Sequence, residues 1–469
     1  RRQRQMCIRD RHLYSGRGFS AEGKAGTWVS DAKSQSGSTL KKMAADENAV
    51  LIFAFLSFYL SSVHASVEIR SNKLTTGDGL ANNSIRYMFQ DSKGFMWMGT
   101  VNGLSYYDGN SFVSIYPDPN LPISLADPRI RNMEEDSNGF LWIATLSSLY
   151  SCYDLKHGRF VDFTGCGEYK QSYSKKIIAS DQSIWLWDNN NGCRRVVYQD
   201  GQFSSQAYKK ELGNLSSDEV LFVYESNDSP GHVWIGTKQG LWKYHDGKLE
   251  AMDTQGESWE HIFSYDQYTC IITGKKEIYR HSLSNNRLEK IASLTELGDT
   301  GVITGSLRLQ HQWVMFTATG SYILDPVTGK LRRFSRLNIK NGNVTRDNKG
   351  NAWVHNYTGN VWYVNTSTGD IKHFQFLSSE HLGYIDVERY SIIHDSRDII
   401  WITTYGNGLF AYDLNTGDLQ HFTFEVSHSS HINSNYLQYI IEDRSGGIWV
   451  SSEFSGLSHL ELSLIHISE

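Results

Sequence analysis

DSKGFMWMGTVNGLSYYDGNSF, residues 91–112, taken alone is a β-hairpin with an Asp-x-x-Gly turn and a tryptophan in its second strand. The same order returns as DSNGFLWIATLSSLYSCYD from Asp136, DSPGHVWIGTKQGLWKYHDGK from Asp228, DSRDIIWITTYGNGLFAYDLNTG from Asp395 and DRSGGIWVSSEFSGL from Asp443. Alignment on the aromatic gives Trp97, Trp142, Trp185, Trp234, Cys270 as a substitution, Trp313, Trp353, Trp401 and Trp449, spaced 36 to 49 residues apart. A period in the forties is the signature of a stacked array, and the strand content of each unit decides which kind.

One unit resolves strand by strand. Residues 84–89 form a first strand, and Asp91-Ser-Lys-Gly94 is a turn in which Asp caps the backbone and Gly accepts a positive φ. Residues 95–100 form the second strand, residues 104–107 the third and residues 112–116 the fourth, with Asp108-Gly109 between the last two. Each unit is therefore a four-stranded antiparallel meander. In FMWMGT, Phe95, Trp97 and Gly99 face one way while Met96, Met98 and Thr100 face the other, and both faces are largely apolar. A one-sided sandwich would alternate more cleanly. Sheets stacked face to face around an axis cover both faces and wedge each Trp between neighbours, so the expected fold is an all-β propeller.

The blade count expected from the period is seven between residues 66 and 380, with Trp401 and Trp449 opening a second propeller over residues 381–461. The alternative is one eight-bladed ring and a spare unit. Under either reading the ninth unit lacks a neighbour and leaves an apolar face uncovered.

Composition agrees with many short strands: aromatic residues are 13%, Gly number 40 and Pro 6 among 469 residues. A net charge of −6 without an internal basic run points away from nucleic acid. Five cysteines carry no metal spacing; Cys152 and Cys166 could bridge across a hairpin in an oxidising compartment, or stay two separate buried thiols. The apolar run AVLIFAFLSFYLSSVHA ends in the small-x-small spacing of Val63-His64-Ala65, so residues 43–65 are expected to be a signal peptide and Ser66 the mature start. Residues 1–42 and 462–469 fit neither repeat nor leader and are expected to be non-native or unstructured, with the chain truncated at its C-terminus.

The chained pattern D-x-x-G-x-x-W-[IVM]-[GAT]-T, followed by G-L and an aromatic, resembles the two-component regulator propeller family, as does Leu74-Thr-Thr-Gly-Asp-Gly-Leu-Ala-Asn-Asn-Ser84 ahead of the first unit. The third and sixth units depart from it in lacking the D-x-x-G turn. The resemblance implies the periplasmic sensor region of a hybrid two-component system, a hybrid sensor histidine kinase/response regulator. In such systems propellers detect glycan-derived oligosaccharides and signal through a membrane helix to a histidine kinase, here missing, in a homodimeric, inner-membrane-anchored protein. A secreted propeller hydrolase or lyase is the alternative, and would need two carboxylates converging near the axis.

No catalytic motif is present, and no cofactor or metal is expected. Tyr405-Gly-Asn-Gly-Leu409 lies between strands and reads as a turn, and His428 and His431 lack a third ligand. The recurring Asp91, Asp136, Asp228, Asp347, Asp395 and Asp443 read as turn caps rather than calcium ligands. Ligand is expected where long connections converge, at residues 117–127, 204–218 and 375–386. Of the tryptophans outside the repeat position, Trp187, Trp242, Trp259 and Trp362, the ligand-stacking candidate is Trp259.

Overall fold

A computed structural model describes residues 67–464, apart from 165–172, 226–229, 254–257, 267–268, 275–276, 283–284, 300–301, 348, 357–359, 376–390 and 427–430. The leader at 43–65, the end at 1–42, residues 465–469 of the tail expected at 462–469, Cys166, Asp228, His428 and the boundary placed at 380 lie outside the described residues, whereas 462–464 belong to the last strand. Among those described, no helix is long and apolar enough to cross a membrane.

The described chain forms nine four-stranded antiparallel sheets. Blades 1 to 8 span residues 85–115, 130–161, 175–208, 220–253, 259–293, 305–333, 343–375 and 392–422. Blade 9 takes three strands from residues 437–464, and its fourth is Val67–Leu74 from the other end of the chain. That closing strand pairs antiparallel with Leu457–Leu464 in unbroken register, from Val67 opposite Leu464 to Leu74 opposite Leu457. Gly456 makes the junction possible: its φ is +80°, and a Cβ there would stand 2.3 Å from the Leu74 carbonyl oxygen.

The expected seven-bladed ring followed by the start of a second is thus corrected to nine blades. Every neighbouring pair, blade 9 with blade 1 included, shares a buried apolar cluster. Trp97 of blade 1 packs with Ile130 and Met133 of blade 2, and Trp353 of blade 7 with Ile392 and Ile400 of blade 8. Trp401 of blade 8 packs with Leu437 and Ile440 of blade 9. Trp449 of blade 9 packs with Met88, Met96 and Met98 of blade 1, so the ninth blade has a neighbour on each side. The blade count read from the period alone took seven as the closing number; the uncovered faces of blades 8 and 9 are instead buried within the same ring.

The repeat tryptophans are between 0% and 4% exposed. Burying each removes about 150–250 Å² from water, on the order of 4–6 kcal/mol before entropic costs. Blades 5 and 6 break the pattern in a related way. Cys270 faces back to Trp234 of blade 4, and Ile271 occupies the forward position expected of the repeat Trp. Trp313 faces backward as well, filling the blade 5–6 interface beside Ile271, and the forward residues of blade 6 are Val314 and Phe316. Cys270 is therefore not a substituted wedge. The indole between blades 5 and 6 comes from the later blade, and no repeat tryptophan enters the interface between blades 6 and 7.

Removal of residues 66–74 should leave Leu457–Leu464 as an unpaired edge and expose blade 9. The expected outcome is a lower thermal midpoint with concentration-dependent association by size-exclusion chromatography. An unchanged melt of a monomer would show that the ring does not depend on this strand.

Candidate functional site

The recurring aspartates do two jobs with two oxygens. Oδ1 of Asp91 accepts the backbone N–H of Lys93 and Phe95, while Oδ2 accepts the indole N–H of Trp97 at 2.8 Å. The same indole bond joins Asp136 to Trp142, Asp347 to Trp353, Asp395 to Trp401 and Asp443 to Trp449, always six residues apart. Turn capping was legible in the sequence; the indole bond was not. In the units lacking this Asp, Ala179 and Leu307 stand six residues before Trp185 and Trp313, whose indole nitrogens have no partner among the described residues. Burial raises the Asp136 carboxyl above the ordinary carboxylate range. At Asp443 burial pushes the same way, but His459, Ser445, Trp449 and the Gly447 N–H overcome it and hold the carboxyl well below that range.

A second device ties each turn to the next blade. The last residue of a blade's first strand often holds the residue after the capping position of the preceding blade, whether or not an Asp occupies it. Glu135 accepts from the Ser92 amide and hydroxyl, Glu225 from Ser180 and Glu442 from Ser396. Gln90 accepts from the Arg444 amide, closing the series across the blade 9–1 junction. In blade 8, His394 takes this position between Asp347 at 3.3 Å and Asp398 at 2.9 Å. These acidic groups hold the ring together, and Glu134 of the same strand is paired with Lys176.

Trp259, the stacking candidate, is 1% exposed; it packs with Trp234 and Cys270, and its indole N–H donates to Asp253 at 3.1 Å. Trp187 and Trp242 are also buried, in the blade 3–4 core, and Trp362 is half-buried beside blade 6. Cys152 is a buried free thiol whose pKa burial pushes up. His431 rests edge-on against Phe422, and its carbonyl accepts the Ser71 hydroxyl. Tyr405–Leu409 is a turn between strands, with Gly406 and Gly408 at φ of +108° and +74°. Among the described residues no group of three His, Cys, Asp or Glu side chains could hold a metal ion.

An antiparallel meander places the turns between second and third strands at the same end of the ring as the inter-blade connections. At that end, in blades 8 and 9, lie three aromatics that the sequence reading passed over. Tyr405 and Tyr436 meet edge to face at 5.2 Å and form an isolated bridge. The Glu453 amide donates to the Tyr436 carbonyl, and Phe454 follows it in the same strand 2–3 turn. Tyr436 is 47% and Phe454 70% exposed. The available signal was an aromatic inside a strand 2–3 turn, as in TTYGNG and SSEFSG, where blade 1 has Asn102.

At the opposite end, beside the strand 1–2 turns, a cavity of about 570 Å³ opens between blades 6 and 7, lined by Arg308, Gln310, His311, Arg346, Thr366 and Ser367. A second, of about 530 Å³, lies at the blade 9–1 junction between Ser71–Leu74 and Tyr107, Trp449 and His459.

Residues 79–102 and 124–147 match the family model described as the two component regulator propeller. They are the first two repeats, and they carry the resemblance drawn from the sequence. No curated protein matches the chain. The chain is similar to the crystallised extracellular domains of two proteins described as hybrid two component systems of B. thetaiotaomicron. BT4673 is 17% identical with a TM-score of 0.39 over 84% of this chain and 58% of that one. BT3049 is 18% identical with a TM-score of 0.31 over 86% and 66%. BamB from Moraxella catarrhalis is 11% identical with a TM-score of 0.40 over 84% and 99%. The chain thus spans less than two thirds of the length of those two extracellular domains.

Asp395→Ala should destabilise the protein by about 1–3 kcal/mol, because it leaves a buried indole N–H and two turn amides unpaired. Asp395→Asn, which keeps an acceptor, should cost less; urea denaturation distinguishes them, and equal effects would contradict the indole bond. Burial lowers the pKa of His281, beside Trp234 at 4.5 Å, to about 4, against an ordinary value of 6.5. The unfolded chain therefore binds the proton first, and stability should fall as pH drops from about 6.5 to about 4. His281→Asn should flatten that slope in thermal melts across this range, and an unaltered slope would exclude His281 as its source.

Proposed function

We propose that the ring is the ligand-sensing region of a hybrid two-component regulatory system, exposed to the periplasm, and that it binds a glycan-derived oligosaccharide without transforming it. The observation that carries the reading is the match of residues 79–102 and 124–147 to the two component regulator propeller. The site offered for the sugar is the group of Tyr405, Tyr436 and Phe454, of which Tyr436 and Phe454 are exposed and Tyr405 packs edge to face against Tyr436. Signalling would pass to a histidine kinase outside this chain, through a membrane tether and the pairing of two chains. A hydrolase or lyase would need free carboxylates at the axis. The first-strand residues Glu135, Glu225 and Glu442 are instead committed to neighbouring turns.

A panel of soluble oligosaccharides screened by thermal shift should contain members that raise the midpoint. Tyr436→Ala and Phe454→Ala should each weaken binding at least about tenfold, or 1.4 kcal/mol, without lowering the midpoint of the free protein. No shift across the panel, or binding untouched by both substitutions, would overturn the assignment.

A further inference from the structure

The interface between blades 6 and 7 departs from the repeat in three respects, and together they produce a charged opening. Blade 6 lacks the Asp-x-x-Gly turn and joins its first two strands by a two-residue hairpin, Gln310-His311, between the paired Leu309 and Gln312. Gln310 sits at φ of +56°, and its amide N–H donates to the Thr366 carbonyl of blade 7 at 2.7 Å, fixing the hairpin against its neighbour. No repeat tryptophan is directed into this interface. In blade 7, finally, the residue at the end of the first strand is Arg346. It pairs with Ala352 as Glu135 pairs with Leu141 and Glu442 with Ile448, so it holds the position that elsewhere grips the preceding turn.

The carboxylate that would have bonded a serine is thus replaced by a guanidinium, and the turn it would have gripped is shortened away from it. Arg346 is exposed, and its side chain has no hydrogen-bond partner among the described residues. Across the cavity, Arg308 is held by its Nε on the Gln310 carbonyl at 3.0 Å and by Nη1 on the Tyr265 carbonyl at 2.7 Å. Its guanidinium carbon lies 5.4 Å from the centre of the Tyr265 ring, and among the described residues Nη2 has no partner. Among the described residues neither guanidinium forms an ion pair, whereas Arg129, Arg195, Arg280 and Arg397 each have one. Two arginines lining one cavity with no ion-pair partner among the described residues repel each other, and an oxoanion between them relieves that repulsion with charge-assisted, two-pronged hydrogen bonds. The His311 ring and the Ser367 hydroxyl add donors at the rim.

We propose that the blade 6–7 cavity is a binding site for an oxoanion, a carboxylate or sulfate, read by Arg346 and Arg308. It lies at the end of the ring opposite Tyr405, Tyr436 and Phe454, and it stands independently of the sensor reading. The shared chemistry fits both a free inorganic anion and an acidic group on a sugar.

The test is titration calorimetry of the folded protein at low ionic strength with glucuronate, glucose 6-sulfate, inorganic sulfate and, as the uncharged control, glucose. The charged probes should bind and glucose should not. Arg346→Ala should weaken binding at least tenfold, Arg346→Glu should abolish it, and Arg332→Ala, which removes an exposed charge on the outer strand of blade 6, should leave it unchanged. Binding of both sugars and sulfate assigns the acidic group of a saccharide, and binding of sulfate alone assigns a free anion; either supports the site. The proposal is overturned if no charged probe binds a protein whose thermal melt is intact, or if Arg346→Ala and Arg332→Ala bind as the parent does.

Discussion

Each blade has two apolar faces and can cover neither of them alone. That constraint governs the molecule. A four-stranded sheet carrying Trp97 forward and Met96 and Met98 backward is stable only between two others, so an array of such sheets must either cap its ends or close. Here it closes, because residues 67–74 return to complete the blade formed by the last strands. The closure joins the two ends of the described chain, so the first and last repeats depend on one another although some 350 residues separate them. Antiparallel pairing supplies the directionality, and the Trp449 cluster supplies the apolar burial on the other side of the same blade.

On this frame the repeated Asp-x-x-Gly is more than a turn. One carboxylate orders the loop, fixes the indole that fills the next interface, and places a serine for the neighbouring blade to hold. Losing that Asp therefore has consequences at two interfaces. Blade 3 lacks the Asp yet keeps the connection, with Ser137 held by Gln182 and Ser180 by Glu225. Blade 6 does not keep it, and the loss coincides with a reversed tryptophan, a shortened hairpin and an unpaired arginine. A repeat protein places a distinctive surface where its repeat fails, since the consensus positions are already committed to holding the ring.

Sequence alone carried the repeat, the meander and the burial of the tryptophans, because these rest on local periodicity and on turn chemistry within about 25 residues. It did not carry the blade count. That depends on a strand at the far end of the chain, for which Val67–Leu74 offers only an unremarkable alternation. The phase reversal in blades 5 and 6 was missed for a similar reason: Cys270 sits at the expected distance, but one residue out of phase with the face that matters. Trp259 was selected for lying in a connection, yet it begins a strand and faces Trp234. The exposed aromatics that do exist are ordinary turn residues in sequence, and nothing in their spacing marks them.

Closure can be tested by a covalent bond across the seam. Arg70 and Glu461 lie directly opposite in the pairing of the closing strand, and both are exposed. In a protein carrying Arg70→Cys and Glu461→Cys, oxidation should join the two ends of the ring into a species of altered mobility on non-reducing gels, with a thermal midpoint above that of the reduced form. Failure of the cysteines to bridge in the folded protein, or a bridge that forms only after unfolding, would contradict a ring completed by its own first strand.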